Sequence, residues 1–394
     1  MAWGVAAWLG LLGSAWAGEL PRAAPEQVGM ATARLERLDA VVERAIADGE
    51  VPGAVLLVTR DGRVVYEKAF GRRALRPRRE EMTVDTIFDM ASLTKVMATA
   101  TSIMILAEEG KLSLSDPVAL HLPEFAAFDK DSVTILQMLT HFSGLRPDID
   151  LDEAWDGRGE ALERGFAERL VEVPGERFVY SDINYFVLGE LVERVSGRTL
   201  ELFSRERIFE PLGMSDTGFL PAAEKASRIA PTQWRDGRML RGEVHDPTAQ
   251  RMGGVAGHAG LFSTAGDTAR FALALINGGA LGEARILSPL AAKKMTTNQS
   301  PPEQPDWRGV GFDIRTRFSS VRGDLFPVGS FGHTGFTGTS LWLDPDSRTA
   351  VILMTSRLHP DGGGDVAGLR KKVATVAAAA IVDFAEAATP AGEP

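Results

Sequence analysis

Strand-forming sequence stands at both ends of this chain, and the long stretch between them is mostly helical in pattern. Near the front, "GAVLLVTRDGRVVYEKAFG" (53–71) holds two β-rich runs separated by Asp61-Gly62. That dipeptide accepts positive φ at both positions, which predicts a type I′ hairpin. In the final third, "VGFDIRTRF" (310–318), "FGHTGFTGTSLWLDP" (331–345) and "SRTAVILMTSR" (347–357) read as three strands. The last two meet at a turn over 344–347. Strands at both ends with helices between predict one antiparallel sheet built from both termini, with a helical region at about 93–300 inserted into it. That is an α+β fold in which the two ends depend on each other. A helix is expected over 31–48, where Leu35, Leu38, Val42 and Ile46 share a face. An Ala-rich helix over about 366–387 closes the chain.

The chain has 394 residues, 44% hydrophobic and 24% charged, enough for a sizeable core. Its formal net charge of −10 disfavours nucleic acid as a partner, because phosphate binding needs a positive field. There is no cysteine, which excludes disulfides, thiolate metal sites and a thiol nucleophile. The first residues, "MAWGVAAWLGLLGSAWAGEL", form an uncharged apolar run ending in the small-x-small pattern Ala15-Trp16-Ala17. Residues 1–17 read as a signal peptide, which predicts a periplasmic or secreted protein without a stable membrane span after cleavage. A single domain is expected over 26–388.

The chemistry concentrates in three short segments. In "DMASLTKVMATATSIMIL" (89–106), Ser92 and Lys95 stand one helical turn apart at the head of an apolar helix. A buried ammonium is costly unless it is paired or loses its proton, so Lys95 is a candidate base for an adjacent serine. Alone, the pair more often describes a Ser N-cap with a snorkelling lysine. In "PGERFVYSDINYFVLGELVERVSG" (174–197), Tyr180 sits in a loop just before a helix, where a phenol can relay a proton. In "FGHTGFTGTSLWLD" (331–344), His333-Thr334-Gly335 leads into a strand whose glycines permit close approach of a ligand. No G-x-S-x-G, Walker or dinucleotide glycine motif is present. Neither a cofactor nor a metal is expected.

Taken in order, the three segments resemble the penicillin-recognising serine hydrolases, specifically the class C β-lactamase-related branch. That branch holds class C β-lactamases, D-alanyl-D-alanine carboxypeptidases, D-aminopeptidases and β-lactamase-fold esterases. Its pattern is S-x-x-K, Y-x-N and K/H-T/S-G. The resemblance spans about 26–385 and includes "ILQMLTHFSGL" (135–145), "IFEPLGMSDTGF" (208–219) and "GGVAGHAGLFSTAGDTARF" (253–271). It implies the β-lactamase/penicillin-binding-protein fold and an acyl-enzyme on Ser92, with Lys95 and Tyr180 sharing the base and acid roles. The oxyanion hole would be the backbone N–H groups of Ser92 and Phe336, and Asp182, His333, Thr334 and Gly335 would bind substrate.

Two departures from the family pattern matter. Asp182 stands where the pattern has Asn, and a carboxylate can only accept hydrogen bonds. It can hold Lys95 charged or point away, with Asn184 taking its place. His333 stands where β-lactamases carry Lys, and histidine is positive only at lower pH. Both departures favour an ester or a small D-amino-acid peptide over a β-lactam as the small-molecule substrate. The alternatives are a β-lactamase and a non-catalytic protein that binds β-lactams or cell-wall peptides. His245 and Asp246 are candidate pocket residues, in a Gly-rich loop that the resemblance places beside the site. His141, in "MLTHFSGL", reads as part of a structural turn.

Overall fold

The computed structural model describes residues 18–383. The leader expected over 1–17 and the last residues of the expected 26–388 domain lie outside that span. Helix α1 (Arg37–Ala47) leads into strands β1 (Gly53–Arg60) and β2 (Arg63–Ala74). Between them Asp61 and Gly62 take φ of 47° and 77°, the left-handed pair that the type I′ turn needs. The remaining strands of the main sheet are β3 (Glu80–Glu81), β4 (Trp307–Arg308), β5 (Asp313–Arg315), β6 (Phe331–Thr334), β7 (Ser340–Asp344) and β8 (Thr349–Thr355).

These eight strands form one sheet in the order β4-β5-β6-β7-β8-β1-β2-β3. Its two halves join where β1 runs antiparallel to β8, from Ala54 opposite Thr355 to Arg60 opposite Thr349. The sheet is thus closed by residues nearly 300 positions apart, as the strand runs at both ends required. All eight residues of β1 are buried, because both faces of the sheet are covered. Val55 and Leu57 point into one core, and Ala54, Leu56 and Val58 into the other, the two-residue period of a strand. Burying each large side chain contributes about 1.5–3 kcal/mol.

On one face lie α1 and the closing helix, which pack Leu38, Val42, Leu369 and Val373 against the sheet. On the other face lies the helical region. At its centre is α2 (95–108), which is π-helical over Lys95–Ala100 and α-helical from Thr101 to Glu108. No charged residue occurs from 96 to 107, so the segment can thread the core; residues 95–100 are all buried. Packed near it are α3 (Ile135–Leu139), α4 (Asp182–Ser196) and α5 (Ala265–Ile276). The closing helix is α6 (Ala367–Ala379). No helix among the described residues is long and apolar enough to cross a membrane.

The fold differs from the expected elements in four places, the first being that of the run 310–318 only Asp313–Arg315 is strand. The helix over 31–48 is interrupted at Glu36, leaving Thr32–Leu35 as a separate turn. The run 331–345 is two strands, β6 and β7, because Gly335–Thr339 turns between them and the Gly335 N–H donates to Thr339 O at 2.7 Å. The last helix ends at Ala379, and Ile381 bridges back to Met30.

Candidate active site

Ser92 sits on a strained turn just before α2. Ala91 has φ of 45°, a left-handed conformation that costs a residue with a Cβ about 1–2 kcal/mol. The turn is held from several directions. The Asp89 carboxylate accepts the N–H groups of Ala91 at 2.8 Å and His245 at 2.7 Å. Burial pushes the Asp89 carboxyl up to about 6, against these two donors, which favour its charged form. Thr94 Oγ1 donates to Ala91 O at 2.6 Å. From the sheet, Thr337 Oγ1 donates to Asp89 O at 2.7 Å and Thr339 Oγ1 to Met90 O at 3.2 Å. A Cβ on Gly335 would lie 2.6 Å from Met90 O, so only glycine lets the end of β6 approach this closely. The threonines and glycine of "HTGFTGT" therefore stitch the third segment to the first.

Lys95 is fully covered, and its Nζ has three neighbours. It lies 3.0 Å from Ser92 Oγ, 3.0 Å from His258 O and 2.6 Å from Asp182 Oδ1. The Asp182 contact is a close ion pair whose angle falls outside hydrogen-bond geometry. Burial favours the neutral amine, but the Asp182 carboxylate and the Tyr180 phenol outweigh it and hold the ammonium above its ordinary value. Lys95 is thus a charged donor to Ser92 at neutral pH. Asp182 faces the lysine, and the open question of its orientation is settled that way. Asn184 does not take its place: it is fully buried, accepts from Ser143 Oγ at 2.7 Å and donates to Met138 O at 3.1 Å.

Tyr180 stands just outside α4, whose first turn is capped by Ser181. Its ring centroid is 5.1 Å from Lys95 Nζ and 6.1 Å from the His333 ring. His333 is buried at the end of β6. Its Nδ1 is 2.9 Å from Thr334 O, a carbonyl that only accepts, so Nδ1 carries the hydrogen. Burial, then the charges of Arg308 and Lys95, push its pKa well below the usual imidazole value. His333 is therefore neutral and presents a bare Nε2.

Ser92 and Tyr180 line two adjoining hollows. One, of about 500 Å³, also takes in Arg308, His333, Thr334, Phe336, Arg357 and Arg370. The other, of about 290 Å³, takes in Asp182, His245, Asp246 and Phe336. The first is basic and the second acidic. In the basic lobe the arginines brace backbone: Arg370 donates to Gly335 O and Thr339 O at 2.7 Å each, and Arg357 to Phe336 O at 2.6 Å. The N–H groups of Ser92 and Phe336 donate to no acceptor among the described residues. In the acidic lobe Asp246 is paired with the buried His258 at 2.9 Å. Burial opposes that pair, yet His258 brings the Asp246 carboxyl down to about 2. His245 packs on Phe336 with ring centroids 6.0 Å apart, and burial, then Arg235, lowers its pKa to about 4.

Asp89, Thr337, Thr339, His141, Arg308 and Arg370 were not singled out from sequence as site residues. Their roles are contacts across the fold: Asp89, His141, Thr337 and Thr339 lie within the quoted segments, but nothing local marks what they touch.

A family model described as Beta-lactamase matches residues 38–375. A protein of Escherichia coli O157:H7 named "Putative D-alanyl-D-alanine carboxypeptidase" is 32% identical over 377 residues, covering 86% of each chain. Among solved structures, a penicillin-binding protein homolog from Caulobacter crescentus superposes with a TM-score of 0.72 at 26% identity, over 89% of this chain and 99% of that one. A family VIII carboxylesterase superposes with a TM-score of 0.68 at 24% identity, over 89% and 98%. This last likeness shows the fold alone.

Proposed function

The chain belongs to the Beta-lactamase family and is a serine hydrolase of that fold, and we propose that it is exported and cleaves an ester or a small D-amino-acid amide through an acyl-enzyme on Ser92. The observation that carries this reading is Lys95 Nζ, 3.0 Å from Ser92 Oγ and 2.6 Å from Asp182. An ammonium can polarise the serine oxygen but cannot take its proton. The acceptor is then the Tyr180 oxygen: its ring centroid is 5.1 Å from Lys95 Nζ, and Tyr180 lines the same hollow as Ser92.

The steps follow from that assignment. Ser92 Oγ bonds to the substrate carbonyl carbon while its proton passes to the Tyr180 oxygen. The oxyanion that develops is received by the free N–H groups of Ser92 and Phe336. Tyr180 hands the proton to the leaving oxygen or nitrogen as that bond breaks. Water repeats the sequence on the acyl-enzyme and restores Ser92 and Tyr180. The relative named as a carboxypeptidase supports an amide substrate, and the carboxylesterase-like fold is compatible with an ester.

Two features oppose efficient β-lactam hydrolysis. Asp182 cannot donate to a substrate amide carbonyl, and the neutral His333 lacks the charge that a lysine would offer a carboxylate. The test is a parallel rate measurement on p-nitrophenyl butyrate, a chromogenic cephalosporin and a D-Ala-D-Ala peptide, with wild type and Ser92→Ala. Ester or peptide turnover that vanishes in the variant, with slow or no cephalosporin turnover, is expected. Rapid cephalosporin turnover, or turnover that survives Ser92→Ala, overturns the reading.

A further inference from the structure

His141 ends α3 in an unusual way. The helix finishes at Leu139 with Thr140 as its cap. The His141 N–H then donates to Met138 O at 3.2 Å and the Phe142 N–H to Gln137 O at 2.8 Å. This is a Schellman closure, whose left-handed position is normally glycine. Here it is a histidine with φ of 62°. Histidine enters this region more readily than most residues but still carries strain that glycine would not. Strain retained in a buried residue asks what the side chain does.

The side chain and backbone of His141 touch three consecutive residues. Its carbonyl accepts the Val179 N–H at 3.0 Å. Its ring lies on the Tyr180 ring, with centroids 4.4 Å apart and planes inclined by 27°. Its Nδ1 accepts the Ser181 N–H at 3.1 Å. An amide N–H only donates, so Nδ1 must be a lone pair and His141 must be neutral, with its hydrogen on Nε2. Burial first, then the positive charges of Arg308 and Lys95, favour that neutral form. The same loop also accepts the Asp182 N–H at Pro147 O, 2.6 Å away, and the Ser181 hydroxyl at Arg146 O, 2.7 Å away. The segment 141–147 is therefore a cradle for residues 179–182, and His141 is the member that meets the phenol itself.

We infer that His141 is a positioning residue for Tyr180, its left-handed backbone, ring face and Nδ1 acceptor together fixing the phenol in the hollow it shares with Ser92. The inference rests on the reading that Tyr180 carries the proton. Its test is a double-mutant cycle that pairs His141→Asn with Tyr180→Phe. Asparagine tolerates positive φ and places Oδ1 near the position of Nδ1, so backbone and acceptor survive while the ring face is lost. The readouts are kcat and KM on p-nitrophenyl butyrate and the rate of Ser92 labelling by a fluorophosphonate, which remains measurable in slow variants.

Tyr180→Phe is expected to slow both reactions by about 100-fold or more. His141→Asn is expected to lower kcat about 10-fold with KM within about 2-fold, and to have almost no effect once Tyr180 is Phe. If the His141→Asn chain does not fold, His141→Phe, which keeps the ring and loses the acceptor, enters the same cycle with the same expected non-additivity. A His141 variant as fast as wild type, or one that loses the same factor in both backgrounds, overturns the inference and leaves the Tyr180 reading intact. An undiminished Tyr180→Phe overturns both.

Discussion

Two lysines in this protein are completely covered, and their surroundings shift them in opposite directions. Lys95 meets a hydroxyl, a carbonyl and a carboxylate. Lys130 donates to three carbonyls, Ala127 O at 2.6 Å, Phe166 O at 2.9 Å and Glu168 O at 2.7 Å. Lys130 has all three hydrogens placed on carbonyls, while Lys95 donates to Ser92 Oγ and His258 O and meets Asp182 as an ion pair. Burial, beneath a shallower layer of protein than that over Lys95, lowers the pKa of Lys130, and the more distant Glu168 carboxylate does not reverse it. For Lys95 the contact with Asp182 reverses the effect of burial. Saturating an ammonium with neutral acceptors satisfies its hydrogen bonds without compensating its charge. Lys130 pins two loops together; Lys95 is held as a cation beside a serine and a phenol.

The largest effect that separates the two comes from deleting each amine. Lys95→Met should lower ester turnover by about 1,000-fold or more, measured as kcat/KM. Lys130→Met should leave kcat/KM within about 3-fold but destabilise the fold by about 3 kcal/mol, because three carbonyls lose a charged donor. A comparable activity loss from both would erase the distinction.

A sharper probe is Asp182→Asn. Without the carboxylate, burial dominates and the pKa of Lys95 falls. The alkaline limb of the kcat/KM profile should then move to lower pH by at least about one unit, equivalent to about 1.4 kcal/mol. The ratio of cephalosporin acylation to ester turnover should rise, since Asn can donate to an amide carbonyl. An unmoved limb would show that Asp182 does not govern the lysine.

The smallest effect is in the pH dependence of stability. The folded-state pKa of Lys95 is raised, so its contribution is fully present below the unfolded value of about 10.4 and is lost as pH rises through the higher folded value. The folded-state pKa of Lys130 is lowered, so its buried charge is a cost at neutral pH that is relieved as pH rises through that value. Between pH 8 and 10, the melting-temperature gap between wild type and Lys95→Met should stay flat, while the gap for Lys130→Met should widen. Parallel curves for the two would refute the assignment.

Much of the fold was legible because its signals are local. Asp61-Gly62 specifies a turn whatever surrounds it, and the apolar strands at both ends have few partners but each other. The turn at 335–339 was not legible. Gly335 and Thr337 read as strand, and what bends the chain there is contact with Asp89 and Met90, about 250 residues earlier. In the site, the spacing of Ser92 and Lys95 and the three-part order of the motifs located the hollow. The partner of Lys95 was legible only as two options, because Asp182 and Asn184 are two apart on a helix and so face different ways. Which of them meets Lys95 is decided by Ser143 and Met138 claiming Asn184. His141 read as a structural turn, and its turn geometry is indeed regular; the ring it lays on Tyr180 is a contact across 39 residues that no local pattern announces.

The central claim is that Ser92 is the atom acylated. Intact-mass and peptide mass spectrometry after incubation with a fluorophosphonate tests it directly. One adduct per chain, confined to the peptide containing Ser92 and absent from Ser92→Ala, is the predicted result. A folded protein that takes no adduct, or one that is labelled equally well as Ser92→Ala, would contradict the account.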